Sequence, residues 1–210
     1  MQRGKLYGCL LVGLIGVALI NHTTDTSANA KEVNVLNKTK LKTYILKSDK
    51  QIQSKTSIPY YNPYNVGQVS NIGQNSLHKM LEGTRLQEWT RYFIQGEEKY
   101  GINALFIVGL VAEESGWGNS NRSNNGSYNL VGHAVYSNIS KGSYFESYAH
   151  CIDETFRLIA EDYYNQNGKY HNGKSIWNIN KMYSSNKKWS DNINSIVYGL
   201  MKKGAERRRS

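Results

Sequence analysis

An apolar segment at residues 104–112 constrains the fold more than any other part of this sequence, because none of its positions is polar. A helix that is apolar on every side has to be surrounded by other elements, so the segment predicts a buried central helix. Asn103, a residue type that caps helix N-termini, comes directly before it. Glu113 and Glu114 follow it, and Gly116 offers a stop soon afterwards. We therefore expect a mainly helical domain built around this segment.

Helical patterns also occur on both sides of the central segment. The predicted helices cover residues 77–82, 86–100, 148–164, 175–183 and 189–203, with Ser76 capping the first and Gly101 ending the second. Residues 119–144 differ because they are rich in Asn, Ser, Gly and Tyr, with short β-like pieces at Leu130-Val131 and at 134–136. The expected fold class is α+β, mainly α, with a small loop-rich β lobe.

The N-terminal part of the chain does not continue these patterns. Residues 1–30 combine Arg3 and Lys5 with an apolar run and a small-x-small site at 28–30, which predicts a signal peptide or an uncleaved membrane anchor. Residues 31–75 are polar and irregular, which favours a linker or arm with some strand at 41–46. The remaining residues, 76–205, are expected to form the single domain, and in either case it lies outside the cytoplasm.

The formal net charge of +10 favours a polyanionic partner such as nucleic acid, an anionic membrane or an anionic cell wall. The basic residues are scattered, apart from 207–209, and a solubilising surface would have the same composition. Nucleic-acid binding would rest on charge alone, because the sequence has no recognised nucleic-acid motif. We therefore expect no nucleic-acid partner.

The cysteines and histidines give no sign of a disulfide or a metal site. Cys9 lies in the N-terminal apolar run, which leaves Cys151 without a partner in the rest of the chain. Cys151 lies in a helical stretch and is expected to be a buried small hydrophobe rather than a nucleophile, although His150 precedes it. His133 and the other histidines lack the spacing of zinc ligands, so no metal is predicted.

Glu113 and Glu114 stand at the end of the buried helix, where an ionised carboxylate is costly unless it is paired. A carboxyl group that keeps its proton near neutral pH can act as the general acid of a glycoside hydrolase. Trp117, three residues further on, is placed to wall such a site off from water. The other interpretation is a solvated helix end, and position alone does not separate the two.

Several segments together resemble one enzyme family. Residues 112–120 read A-E-E-S-G-W-G-N-S and closely resemble the A-x-E-S-G-W-G-x-S motif of bacterial N-acetylglucosaminidases of glycoside hydrolase family seventy-three. Other segments fit the family pattern in the right order, at residues 81–84, 100–105, 128–132, 144–148 with Ile152, and 182–186 followed by Trp189. The resemblance covers roughly residues 75–203.

This resemblance implies a lysozyme-like fold and assigns roles to five residues. Glu114 falls on the family's catalytic proton donor, and Tyr183 falls on a tyrosine that lies in the active site and assists catalysis. Trp117 matches an aromatic residue of the substrate groove. Asn129 and Gly132 would shape the groove floor. No cofactor is implied.

The chain departs from the family in its second acid. Some members have a second carboxylate in the small lobe that activates water, but this sequence has no Asp or Glu between Trp117 and Tyr144. The nearest candidates, Glu146 and Asp153, stand near a helix start, where acids are common for electrostatic reasons alone. Without such an acid, the substrate's N-acetyl group would attack the anomeric carbon, or Tyr183 would hold a water.

The resemblance implies an exported endo-β-N-acetylglucosaminidase that cuts peptidoglycan glycan strands after N-acetylglucosamine. The positive charge also suits anionic wall polymers. A lytic transglycosylase, which closes an anhydro ring without water, is the alternative enzyme. A non-catalytic cell-wall-binding module is the alternative of another class.

Overall fold

The structure is a computed structural model that describes residues 58–133 and 143–207. These residues form α-helices and contain no β-strand within the two ranges, so the mainly helical prediction is confirmed. The α-helices are α1 (Gln74–Met80), α2 (Thr90–Tyr100), α3 (Ala104–Ser115), α4 (Asn121–Asn124), α5 (Tyr148–Leu158), α6 (Ile176–Tyr183) and α7 (Trp189–Glu206).

Helix α3 is the predicted central helix, and every residue from 104 to 112 is buried. Asn103 caps it, because its side chain accepts a hydrogen bond from the Phe106 N–H at 3.1 Å. The amide of the same side chain donates to the Tyr60 carbonyl oxygen at 3.0 Å and to that of Gln68 at 2.7 Å. The cap therefore also fixes the chain around Tyr60 and Gln68 to the central helix.

Helix α7 lies antiparallel along α3, and Gly109 allows the two backbones to approach closely. A Cβ atom at position 109 would lie 2.8 Å from Val197 Cγ2 and 3.0 Å from Ile193 Cγ2. Contacts this short are not tolerated in a packed core, so a side chain here would push the helices apart. The close packing sets the register that brings the first turn of α7 to the last turn of α3.

Two of the predicted helices include a turn of another helix type. The stretch predicted as one helix over 86–100 begins with a 3-10 turn, Arg85–Trp89, before α2. The stretch predicted as one helix over 148–164 changes after α5 into a π-helical turn, Ile159–Tyr164. Such wider turns are often found at functional sites, and this one lines the cavity described below.

Residues 58–73, which the sequence assigned to a linker, have no helix but pack on the domain. Tyr61, Val66 and Ile72 are buried, and the Val66 carbonyl oxygen accepts from the Asn103 N–H at 2.8 Å. Helix α1 begins at Gln74 with Gly73 as its N-cap, three residues before the predicted cap, Ser76. The described part of the linker is thus part of the folded unit.

The predicted β-like pieces are not strands where the structure describes them. Leu130 and Val131 are buried, but the chain bends there, so the prediction of a strand at this pair is wrong. Their apolar character serves packing instead, and the Leu130 N–H lies 3.4 Å from the Cys151 sulfur. The pieces at 134–136 and 41–46, and the N-terminal segment 1–30, lie outside the described residues.

In the ranges that the structure describes, no helix has the length and apolar character needed to cross a membrane.

Candidate active site

Helix α3 ends abruptly just after Glu114. Gly116, Trp117 and Gly118 all have positive φ angles, of 56°, 62° and 84°. Such angles are uncommon for residues other than glycine, so the strained position is Trp117. Ser115 is buried and ties the turn together, accepting from the Gly118 N–H at 2.8 Å while donating to the Val111 carbonyl oxygen. The Glu114 side chain therefore projects from a rigid helix end.

Glu114 is half-buried and is held by a tryptophan at the start of α7. Its Oε1 accepts a hydrogen bond from the indole N–H of Trp189 at 2.7 Å, and Trp189 is only 2% exposed. An indole N–H can only donate, so Oε1 serves as the acceptor and a proton on this carboxyl belongs on Oε2. The geometry thus distinguishes the two oxygens of Glu114.

Glu113 has a different environment although it is the neighbouring residue. Its Oε1 accepts from the Asn192 side-chain amide at 2.6 Å. Glu113 does not line the cavity that Glu114 faces. Of the two acids at the end of α3, Glu114 is therefore the one placed to meet a ligand.

Tyr183 completes an aromatic layer beside Glu114. Its ring stacks on that of Trp189 with centroids 4.8 Å apart, and its centroid lies 5.6 Å from that of the tilted Tyr163 ring. Burial, with a further contribution from the Glu114 carboxylate, raises the pKa of the Tyr183 hydroxyl well above its ordinary value. The hydroxyl stays protonated at physiological pH and can donate a hydrogen bond.

An open cavity of about 630 Å³ lies over these groups. This volume is within the range of ligand pockets, which is roughly 300–1,000 Å³. Its described lining combines aromatic, cationic and acidic side chains with a glycine. The residues are Glu114, Val131, Gly132, His133, Arg157, Leu158, Asp162, Tyr163, Lys169, Tyr170, Met182, Tyr183 and Ser184.

Comparison with known families decides what this arrangement belongs to. Residues 90–202 match the model of the Glucosaminidase family, which is described as mannosyl-glycoprotein endo-beta-N-acetylglucosaminidase. The chain belongs to the glucosaminidase family. It is therefore a glycoside hydrolase by family, as the sequence motifs predicted.

Solved structures of S. aureus autolysin E share the fold. A catalytic mutant in complex with the disaccharide NAG-NAM is 19% identical, with a TM-score of 0.57 over 70% of this chain and 74% of that chain. A complex with the muropeptide NAM-L-Ala-D-iGlu is 17% identical, with a TM-score of 0.56 over 74% and 77%. The lysozyme-like architecture that the resemblance implied is confirmed. No curated protein sequence matches the chain.

The other groove residues proposed from the glucosaminidase motifs take different positions. Gly132 lines the cavity and has a φ angle of 62°, a conformation that favours glycine. Asn129 is buried and holds the loop around Gly132, because its side chain accepts from the His133 N–H and donates to the His133 carbonyl oxygen, each at 3.0 Å. Trp117 is half-buried against the core and does not line this cavity.

The structure places both candidates for the second acid away from the cavity. Glu146 is 89% exposed at the start of α5, near His150. Asp153 faces α2 instead, where it accepts from Lys99 and from the Tyr100 hydroxyl, each at 2.9 Å. Both acids thus have a structural explanation that involves no substrate.

Two residues of the site had no role in the sequence-based prediction. Asp162 lines the cavity from the π-helical turn, and no motif singled it out. Trp189 holds Glu114 across 75 positions of sequence. The signal for Trp189 was present, because it occupies the position of an aromatic residue in the glucosaminidase segment that begins at Tyr183.

Cysteine and metal chemistry have no support at this site. Cys151 is buried, and burial raises the pKa of its thiol to about 11, which keeps it neutral and unreactive. Across the described ranges, no group of three or more His, Cys, Asp or Glu residues is placed to hold a metal ion.

Proposed function

We propose that the protein is a peptidoglycan hydrolase that cleaves the β-1,4 bond after N-acetylglucosamine in bacterial cell-wall glycan strands. One observation carries the proposal. A half-buried carboxyl group, Glu114, projects from the end of a buried helix into an open cavity and is fixed there by a buried indole N–H. A sugar strand in that cavity would lie against a positioned acid.

In the proposed reaction, Glu114 gives its proton to the glycosidic oxygen as the bond to the anomeric carbon breaks. The step starts from the protonated carboxyl group, because only that form can give a proton. Negative charge then develops on Glu114, and the Trp189 N–H stabilises it through Oε1. Tyr183, a neutral hydroxyl donor, is placed to hold a substrate oxygen or a water.

Water activation needs a second group, and Asp162 is the candidate that we assign to it. Asp162 and Glu114 are the two acids among the described residues that line the cavity. They come from separate elements, the π-helical turn and α3, and line one cavity of about 630 Å³. A carboxylate in this position would take a proton from the attacking water as the anomeric carbon accepts its oxygen.

Analysis of the reaction products tests the proposed function directly. Digestion of purified peptidoglycan is expected to release fragments that end in reducing N-acetylglucosamine, and mass spectrometry after borohydride reduction identifies that end. Anhydro-muramic ends would instead identify a lytic transglycosylase. Unchanged peptidoglycan would favour a non-catalytic wall-binding module.

Replacing Trp189 with Phe is expected to lower kcat about tenfold, because the hydrogen bond to a charged acceptor is lost while the ring remains stacked on Tyr183. The alkaline limb of the pH–rate profile should move to higher pH, since the ionised carboxylate loses a donor. Trp89→Phe is the matched control, because Trp89 is also buried and stacked, on Tyr148. An unshifted profile in Trp189→Phe would contradict the positioning role.

We also propose that the protein acts outside the cytoplasm, at the cell wall. Residues 1–30 support export or anchoring by their sequence, and the positive charge supports contact with anionic wall polymers. Mass spectrometry of the N-terminus of the protein from its native cells would distinguish cleavage after residue 30 from an uncleaved anchor.

A further inference from the structure

A second cavity of about 470 Å³ adjoins the catalytic cavity and has no part in the proposed reaction. It lies between α6, the loop after it and the start of α7. Its described lining is Trp177, Asn180, Lys181, Ser184, Ser185, Lys187 and Ser190. Ser184 lines both cavities, so one ligand can extend from the catalytic cavity past Ser184 into the second cavity.

The floor of this second cavity is preformed. Asn180 is buried, and its side-chain amide donates to the carbonyl oxygens of Ser184 at 3.2 Å and Asn186 at 3.1 Å. Its carbonyl oxygen accepts from the Ser190 N–H at 3.3 Å. One side chain thus ties the loop to both helices, which reduces the cost of ordering this loop around a ligand.

The rim is cationic and aromatic. Lys181 and Lys187 are both exposed, and none of the described lining residues is acidic. Trp177 lies one helical turn before Lys181 on the same face of α6. Its half-buried ring meets that of Tyr64, which is 73% exposed, with centroids 5.0 Å apart. The cavity therefore suits an anionic ligand that also has apolar groups.

We propose that this second cavity binds the stem peptide attached to the glycan strand that is being cut, with Lys181 and Lys187 pairing with peptide carboxylates. This inference rests on the proposed function. The sugars of intact peptidoglycan are uncharged, because the lactyl carboxyl is amide-linked, so the negative charge of the strand belongs to its stem peptides. A strand held at Glu114 presents such a peptide to the neighbouring cavity across Ser184.

The test compares the double variant Lys181→Gln/Lys187→Gln with the parent on soluble, peptide-bearing strands free of wall polymers. The KM of the variant is expected to rise roughly fivefold with kcat unchanged, because each exposed ion pair contributes modestly. On the same strands with carboxyl groups converted to amides, the two proteins should have equal KM. The difference on untreated strands should shrink with added salt.

The double variant Lys188→Gln/Lys202→Gln is the matched control, because it removes the same charge from exposed positions outside the cavity lining. Its KM should equal that of the parent. Equal KM for the Lys181/Lys187 variant and the parent on untreated strands would overturn the proposal. So would an effect seen only on walls that retain phosphate polymers, which would assign the lysines to those polymers.

Failure of this inference is separable from failure of the proposed function. The Kd of peptide-bearing strands can be measured with two proteins that do not cut them, the Glu114→Gln variant and the same variant with the two lysine substitutions added. A lysine effect on Kd supports the peptide site even where no bond is cut. If the parent cuts strands and the lysine substitutions change neither KM nor Kd, the proposed function stands and the peptide site is rejected.

Discussion

Glu114→Gln is expected to reduce the rate of glycan cleavage by about 10³-fold, because glutamine cannot supply the proton that the leaving oxygen needs. This loss corresponds to about 4 kcal/mol of transition-state stabilisation. The amide oxygen of glutamine can still accept from the Trp189 N–H, so the fold and the aromatic layer should persist. The measurement is the release of reducing ends from purified peptidoglycan, with binding of the strands followed separately.

Glu113→Gln is the matched control for this experiment. It makes the same chemical change one residue earlier, at an acid that is bonded to Asn192 and does not line the cavity. Its rate should stay within about twofold of the parent, as is usual for substitutions away from the reacting groups. Equal losses in both variants would mean that a general charge effect, rather than proton donation by Glu114, controls the rate.

The sequence predicts the frame of this site because that frame depends on local patterns. The apolar run of α3 requires burial whatever surrounds it, and Asn103 and Gly101 act within one turn of their own positions. The same run also predicts the position of Glu114, because the residues that directly follow a buried apolar helix are the first to reach the surface. Each of these inferences needs only neighbouring residues.

The rest of the site depends on contacts between distant parts of the chain. Trp189 reaches Glu114 only because Gly109 lets α7 pack closely along α3, and no pattern in either helix specifies that register. Asp153 is one of the acids nearest to the small lobe in sequence, yet in the fold α2 supplies it with partners. Asp162 reaches the cavity from a π-helical turn, which helical periodicity predicts to be an ordinary α-helix.

Asp162→Asn is expected to reduce the rate about 10²-fold, because an amide cannot take a proton from the attacking water. KM should change little, since the substitution preserves the size of the side chain. Azide, an anionic nucleophile that needs no deprotonation, should partly restore cleavage and give a glycosyl azide product. The measurement is the rate of strand cleavage, with the anomeric configuration of the first-formed product read by NMR.

Asp153→Asn provides the comparison, because it removes one of the two candidate acids of the sequence, which the structure places against Lys99 and Tyr100. Its rate should match that of the parent. A rate for Asp162→Asn that falls less than about threefold would contradict the assignment of the base. The reaction would then use either the substrate's N-acetyl group as the nucleophile or a water held by Tyr183. A substrate with the N-acetyl group replaced by a hydroxyl would lose reactivity with the parent enzyme only on the N-acetyl route. On the N-acetyl route, Glu114 would be the only protein carboxylate required and the anomeric configuration would be retained, whereas direct attack by water would invert it.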